Sequence, residues 1–276
     1  MIPAPFEYER AESTEQAISL LAEHGDEAKL IAGGHSLLPL MKLRLATPTV
    51  LIDVGRLADL SYIRDEGDHI AVGALTRHRD IETSEMLAEH VPVLARTAAH
   101  VGDPQVRHRG TIGGSIAHSD PASDLPATVL ALDATLVAQG PDGEREIPAS
   151  AFFRGFLETA LAPTELLTEI RVPKRTGLGW SFQKFNRRAQ DWAIVGVAAT
   201  RADSNGTAGV ALVNMGSTPV RAAAVEQALS QGASAADAAA AADEGLDPPA
   251  DLNASTDYRR HLSRVLVRRA LEEAGF

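Results

Sequence analysis

Two glycine pairs constrain this chain more than any other feature. The first lies in AGGHSLLPLMKLRL (Ala32 to Leu45), the second in GTIGGSIAHSDPASDLPA, which begins at Gly110. Glycine lacks a Cβ, so the backbone can turn through positive φ or let another group come close. Small polar residues follow each pair: His35 and Ser36 after Gly33–Gly34, Ser115 after Gly113–Gly114. The first site is not a G-x-G-x-x-G fingerprint, a P-loop or a nucleophile elbow. What remains is a strand, two glycines, two polar residues and the first turn of a helix. Backbone N–H groups at such a turn suit a phosphate or diphosphate, with the Ser36 hydroxyl as a further donor. Alone, the site reads equally well as a tight turn that binds nothing. Two such sites in one chain suit a ligand with a long diphosphate-bearing backbone, such as a dinucleotide.

The surrounding pattern changes character along the chain. Ser13, with Gln16 three residues on, predicts an N-cap, and Ala17, Leu20 and Leu21 continue at helical spacing as far as Gly25. AKLIAGG and TVLIDVG read as short buried strands, so this part forms a small α/β unit with parallel pairing. From Leu57 a hairpin is expected, turning at Asp65–Asp68, followed by helices at about 81–90 and 92–101. After the second glycine site come a helix or strand, a hairpin at Pro141–Gly143 and a strand in TELLTEIRVP. Three strand-like runs then fall at about 179–185, 195–202 and 209–215, with Asn205–Gly206 as a hairpin turn between the last two. The Ala-rich stretch 222–243 and the C-terminal residues read as helices. A domain boundary is placed near 174–178.

Composition narrows the function. A chain of 276 residues, 45% hydrophobic, has room for two domains and a sizeable core. The formal net charge of −11 argues against a general nucleic-acid binder; NRRAQ, near Asn186, is one candidate for a local basic cluster. Without cysteine the chain has no disulfide, thiolate nucleophile or cysteine-held iron–sulfur cluster. Any electron transfer must therefore run through an organic cofactor or a partner. No secretory leader or membrane span is read from the sequence, so a cytoplasmic protein is expected and the sequons at Asn205 and Asn253 carry no weight. His35, His78, His100, His108 and His118 show no ligand spacing, and no metal site is assigned.

AGGHSLLPLMKLRL and RGTIGGSIAHSDPASDLPA resemble the signature segments of the FAD-binding medium subunits of the molybdenum hydroxylases, the xanthine dehydrogenase family. Within it the resemblance is greatest to the branch of carbon monoxide dehydrogenase medium subunits, and it runs essentially end to end. It implies an α+β fold. The first part, 1–175, would be an FAD-binding domain of the vanillyl-alcohol-oxidase/PCMH type. It comprises a small parallel α/β subdomain (about 1–56) and a mixed or antiparallel sheet with helices (57–175). A C-terminal domain of the carbon monoxide dehydrogenase flavoprotein type, 178–276, would hold a three-stranded antiparallel sheet packed with helices.

The resemblance also implies site residues. Backbone amides of the first loop, Ala32, Gly33, Gly34, His35, Ser36 and Leu37, would hold the FAD diphosphate. Thr111, Ile112, Gly113, Gly114 and Ser115 would wrap its other side; many relatives have asparagine where Ser115 stands. Asp124 would bind the adenosine end through a ribose hydroxyl, or else serve as a helix N-cap. Val101 and Gly102 match a position beside the flavin ring. Leu167 would lie near the cofactor or simply in a core strand. Lys184 matches a lysine at the flavin edge, although an isolated strand lysine is commonly solvated. Trp192 would cover one ring face or fill a core.

By the same resemblance, electrons arrive from [2Fe-2S] clusters on a small subunit and originate on a large molybdenum-cofactor subunit. The three chains would assemble as a dimer of heterotrimers. The flavin would serve an external acceptor: a quinone, NAD+ or O2. No catalytic acid or base is expected on this chain. Two other readings stand beside this one: a non-redox nucleotide-binding or assembly protein of the same fold, and a self-sufficient flavin oxidase.

Overall fold

The computed structural model describes residues 2–202 and 208–276. Its N-terminal part runs β1 (Glu7–Arg10), α1 (Thr14–His24), β2 (Ala28–Ile31), α2 (Leu37–Leu43) and β3 (Val50–Asp53), and the three strands pair in parallel in the order β1-β3-β2. Helix α1 starts where Ser13 Oγ accepts from Gln16 N at 3.2 Å, while Gln16 Oε1 accepts from Glu12 N at 2.7 Å. It ends at Gly25, whose φ of 53° favours glycine. The parallel unit is as expected from the sequence. Strand β1 is an addition: EYER has no apolar residue but Tyr8, and it is held by the ladder to β3 rather than by burial.

The second part holds a five-stranded antiparallel sheet in the order β4-β5-β10-β6-β7. Its strands are β4 (Ile63–Asp65), β5 (His69–Gly73), β6 (Thr135–Gly140), β7 (Gly143–Pro148) and β10 (Leu166–Pro173). Both expected hairpins are present. Between β7 and β10 lie α9 (Ala149–Phe152) and a small hairpin, β8 (Phe153–Gly155) with β9 (Glu158–Thr159). Six helices intervene between β5 and β6: α3 (His78–Glu82), α4 (Glu85–His90), α5 (Pro92–Ala99), α6 (Pro104–Arg109), α7 (Ile112–His118) and α8 (Asp124–Ala131). They share a core with the sheet through Ile70, Leu94, Ile112, Leu125 and Ile170. The helix expected over 81–90 is two helices, because Ser84 caps a new one by accepting from Leu87 N at 3.2 Å.

The C-terminal part is an antiparallel sheet in the order β11-β12-β13-β14. Strands β11 (Trp180–Phe185), β12 (Val195–Arg201) and β13 (Ala208–Val213) are the three expected ones. The sheet has a fourth strand, however: β14 (Val220–Arg221), two residues long and too short to leave a periodic signal. The Asn205–Gly206 turn lies outside the described residues. The helix expected over 222–243 divides into α10 (Ala223–Ser230) and α11 (Ala235–Ala239), separated by Gly232 at φ 85° and restarted by the Ser234 cap. Helix α12 (Thr256–Ala274) packs on this sheet through Leu266, Val267 and Ala270. Helix α8 lies against β12 and β13, so the second and third parts meet through a packed helix.

Candidate cofactor site

A cavity of about 950 Å³ lies among the three parts, at the large end of the range for small-molecule sites (about 300–1,000 Å³). Both glycine loops line it, as do Val101, Gly102, Asp124, Leu167, Lys184 and Trp192. Of the residues singled out from the sequence, Ile112 alone stands apart from this wall. Its side chain is fully buried in the core and its N–H donates to Thr76 O at 3.1 Å. Its side chain anchors the loop from beneath.

The two glycine loops are built differently. In the first, Gly34 adopts φ 75°. A Cβ on Gly33 would lie 2.3 Å from Arg109 O and 2.9 Å from Gly110 Cα, so Gly33 is required where the two loops touch. Among the described residues, the N–H groups of Gly34, His35, Ser36 and Leu37 find no acceptor within the chain, and Ser36 precedes α2 without capping it. These are the unpaired donors that an anionic ligand can take.

The second loop has no such nest. Gly113 N donates to Ala74 O at 2.8 Å, Gly114 N to Thr111 Oγ1 at 3.2 Å and Ser115 N to Thr111 O at 3.0 Å. A Cβ on Gly113 would strike Ala74 Cβ at 2.5 Å, whereas one on Gly114 would meet only Thr111 Oγ1. This loop therefore offers a smooth wall and the Ser115 side chain, rather than amides. Arg77 ties the start of the second loop to the turn after β3: its guanidinium donates to Arg109 O and, at 3.4 Å, to Gly55 O.

Elsewhere on the cavity wall, Lys184 Nζ pairs with Asp124 Oδ2 at 2.7 Å and donates to His100 O at 3.0 Å. The two side chains are 3% and 5% exposed, so Lys184 is no solvated strand lysine. Nor is Asp124 an N-cap, since Ser123 occupies that position and Asp124 is the first residue of α8. Burial pushes the Asp124 carboxyl up to about 6, against the opposing pull of the Lys184 ammonium. Asp124 Oδ1 is buried with no partner. Asp124 and Lys184 thus meet at one point of the cavity wall, and Lys184 holds the segment of Val101 and Gly102 through His100 O.

Leu167 is buried in β10 and also lines the cavity, beside a register shift between Leu167 and Glu169. Trp192 is 70% exposed, which excludes the core role; it stands at the rim, shared with a second cavity of about 680 Å³ that Arg187 and Arg188 also line. His35 and His118 face the main cavity. His78, Lys29 and the Leu157–Thr159 turn line it too, and no motif in the sequence marks them.

Free amides and an orphaned buried carboxylate oxygen fit a long, polar, partly aromatic cofactor. The class follows from the comparison with known families. Residues 4–175 match the FAD binding domain in molybdopterin dehydrogenase, and residues 180–274 match the CO dehydrogenase flavoprotein C-terminal domain. The chain belongs to this family: it is a flavoprotein medium subunit of the molybdenum hydroxylases, an oxidoreductase component whose cofactor is FAD. It is 42% identical to the carbon monoxide dehydrogenase medium chain of Hydrogenophaga pseudoflava over 99% of this chain and 98% of the relative. It is 41% identical to the 6-hydroxypseudooxynicotine dehydrogenase complex subunit alpha of Paenarthrobacter nicotinovorans, over 99% and 96% of the two chains. The structure of the H. pseudoflava carbon monoxide dehydrogenase lacking the Mo-pyranopterin moiety superimposes with a TM-score of 0.96 at 43% identity, covering 99% and 98%. Quinoline 2-oxidoreductase from Pseudomonas putida 86 gives 0.92 at 33%, covering 99% and 98%. No helix among the described residues is long and apolar enough to cross a membrane.

Proposed function

We propose that this chain is the electron-transfer subunit of a cytoplasmic molybdenum hydroxylase or dehydrogenase. It takes electrons from [2Fe-2S] clusters on a small subunit, supplied by a large molybdenum-cofactor subunit, within a dimer of heterotrimers. It passes them to an external acceptor, whether quinone, NAD+ or O2. The observation that carries this reading is the single cavity in which the first loop's free amides and the Asp124–Lys184 pair face the same space. The absence of cysteine agrees with clusters that sit on another chain.

FAD, when bound, can accept electrons singly and release them singly or in pairs. The chain's own residues hold and shield it. Amides of Gly34 to Leu37 and the Ser36 hydroxyl take the diphosphate, with Ala32 and Gly33 fixing their path. Thr111, Gly113, Gly114 and Ser115 form the facing wall. Lys184, fixed by Asp124 and His100 O, sets a positive charge where the ring gains electron density, and the free Asp124 Oδ1 accepts a hydrogen bond from the cofactor. Val101, Gly102, Leu167 and Trp192 bound the ring and exclude water from it. No residue of the chain moves a proton to or from an organic substrate. In this reading 1–175 holds the cofactor and 178–276 closes the site with Lys184 and Trp192.

The purified chain should be yellow and release FAD on denaturation, and its flavin absorbance should bleach on adding the complex's substrate only when the partner subunits are present. A colourless chain that takes up no FAD would favour the non-redox alternative. Turnover of an organic substrate by this chain alone would favour the self-sufficient oxidase.

A further inference from the structure

His78 opens α3 with its ring beside the second glycine loop, and it is 4% exposed. Its Nδ1 is sealed from solvent and has no hydrogen-bond partner. Among the described residues Nε2 has no partner either, and, unlike Nδ1, it is not sealed from the cavity that His78 helps to line. Gly110 keeps that edge uncovered: a Cβ there would lie 2.6 Å from the ring Cδ2 and 2.8 Å from Nε2. The His78 N–H donates to Gly110 O at 3.0 Å and fixes the ring against the residue that precedes Thr111. The basic residues around the imidazole are His35 from the first loop, Arg77 from the start of α3 and Arg107 from α6, the last paired with Glu82 at 2.9 Å. Burial first, and these neighbours second, push it down to about 4, so the ring is neutral at pH 7.

A neutral imidazole carries one N–H. Nδ1 faces surroundings that offer no acceptor, so the proton belongs on Nε2, where a ligand in the cavity can receive it. We propose that His78 is a cofactor-binding residue, donating Nε2–H to an oxygen of the FAD diphosphate between the two glycine loops. The diphosphate is the part of the cofactor that suits this corner, because His78 lies against Gly110 and Gly110 against Gly33 of the first loop, where the free amides begin. The inference rests on the cofactor site proposed above and adds to it a residue that lies in neither loop.

The test uses the full chain, stripped of flavin and titrated separately with FAD and with riboflavin, which has no diphosphate. His78→Leu removes the donor at similar volume, and His78→Gln returns an N–H at nearly the Nε2 position. For His78→Leu the FAD dissociation constant should rise about ten- to a hundredfold, as for a lost hydrogen bond to a charged group. Riboflavin affinity should stay within about threefold, and His78→Gln should recover most of the loss. The 31P resonances of bound FAD should shift between the unsubstituted chain and His78→Leu. Equal FAD affinity, or an equal loss for FAD and riboflavin, would overturn the role of His78. Failure of the unsubstituted chain to take up FAD would instead overturn the cofactor site itself.

Discussion

The two glycine loops carry the same dipeptide and use it in opposite ways. In the first, Gly33 exists because the second loop's backbone lies where a side chain would go, and Gly34 because the chain turns through positive φ. The amides that follow are left over as donors. In the second, Thr111 caps α7 and Ala74 and Thr76 take the neighbouring amides, so the loop is rigid before any ligand arrives. One loop is a set of unpaired donors and the other is a finished wall. Similar sequence signatures thus mark different physical roles: the first loop should order on binding, while the second is already paid for by the fold.

The sharpest way to break this contrast is by adding single methyl groups. Gly33→Ala places a Cβ against Arg109 O, so it should cost roughly 3 kcal/mol or more and lower the melting temperature by several degrees. Gly114→Ala brings a Cβ to 2.8 Å from the Thr111 hydroxyl that caps α7, so it should cost about 1 kcal/mol, the worth of that cap, while weakening FAD binding. Thermal melts and FAD titration of both variants would refute the contrast if Gly33→Ala proved as stable as Gly114→Ala.

Two buried groups on the cavity wall should tilt stability in opposite directions with pH. Asp124 has a raised folded pKa of about 6, so its contribution is full below the ordinary carboxylate range near 3.8 and fades as pH rises through 6. His78 is depressed to about 4, so its contribution is full above 6.5 and is lost as pH falls through 4. In the flavin-free chain the two slopes oppose each other between about pH 4 and 6. His78→Leu should expose the falling slope and Asp124→Asn the rising one. Denaturant melts across this range check both signs, and identical slopes in the two variants would contradict them.

A smaller effect separates the two caps. Thr111→Ala removes the bond to Gly114 N and should cost about 1 kcal/mol of stability. Ser36→Ala removes no side-chain bond among the described residues, so its stability should be unchanged to within about 0.5 kcal/mol while its FAD affinity falls. Denaturant midpoints together with FAD titration distinguish them. Smallest of all, Trp192→Ala at a 70% exposed rim should leave the melting temperature within about 1 °C and instead raise the access of iodide to the bound flavin, read by fluorescence quenching.

The sequence alone determined most of the architecture. The Ser13 cap, the buried runs at β2 and β3, both hairpins and the three long C-terminal strands follow from local pattern, because period and turn chemistry act over a few residues. Both glycine loops were visible for the same reason. Tertiary structure decided what no short window contains: the polar strand β1, paired to β3, the two-residue β14, and the joining of Asp124 to Lys184 across sixty residues. It also decided that Ile112 faces the core, that Trp192 faces solvent and that His78 faces the cavity. A side chain's role there depends on which distant backbone lies beside it, and packing sets that rather than propensity.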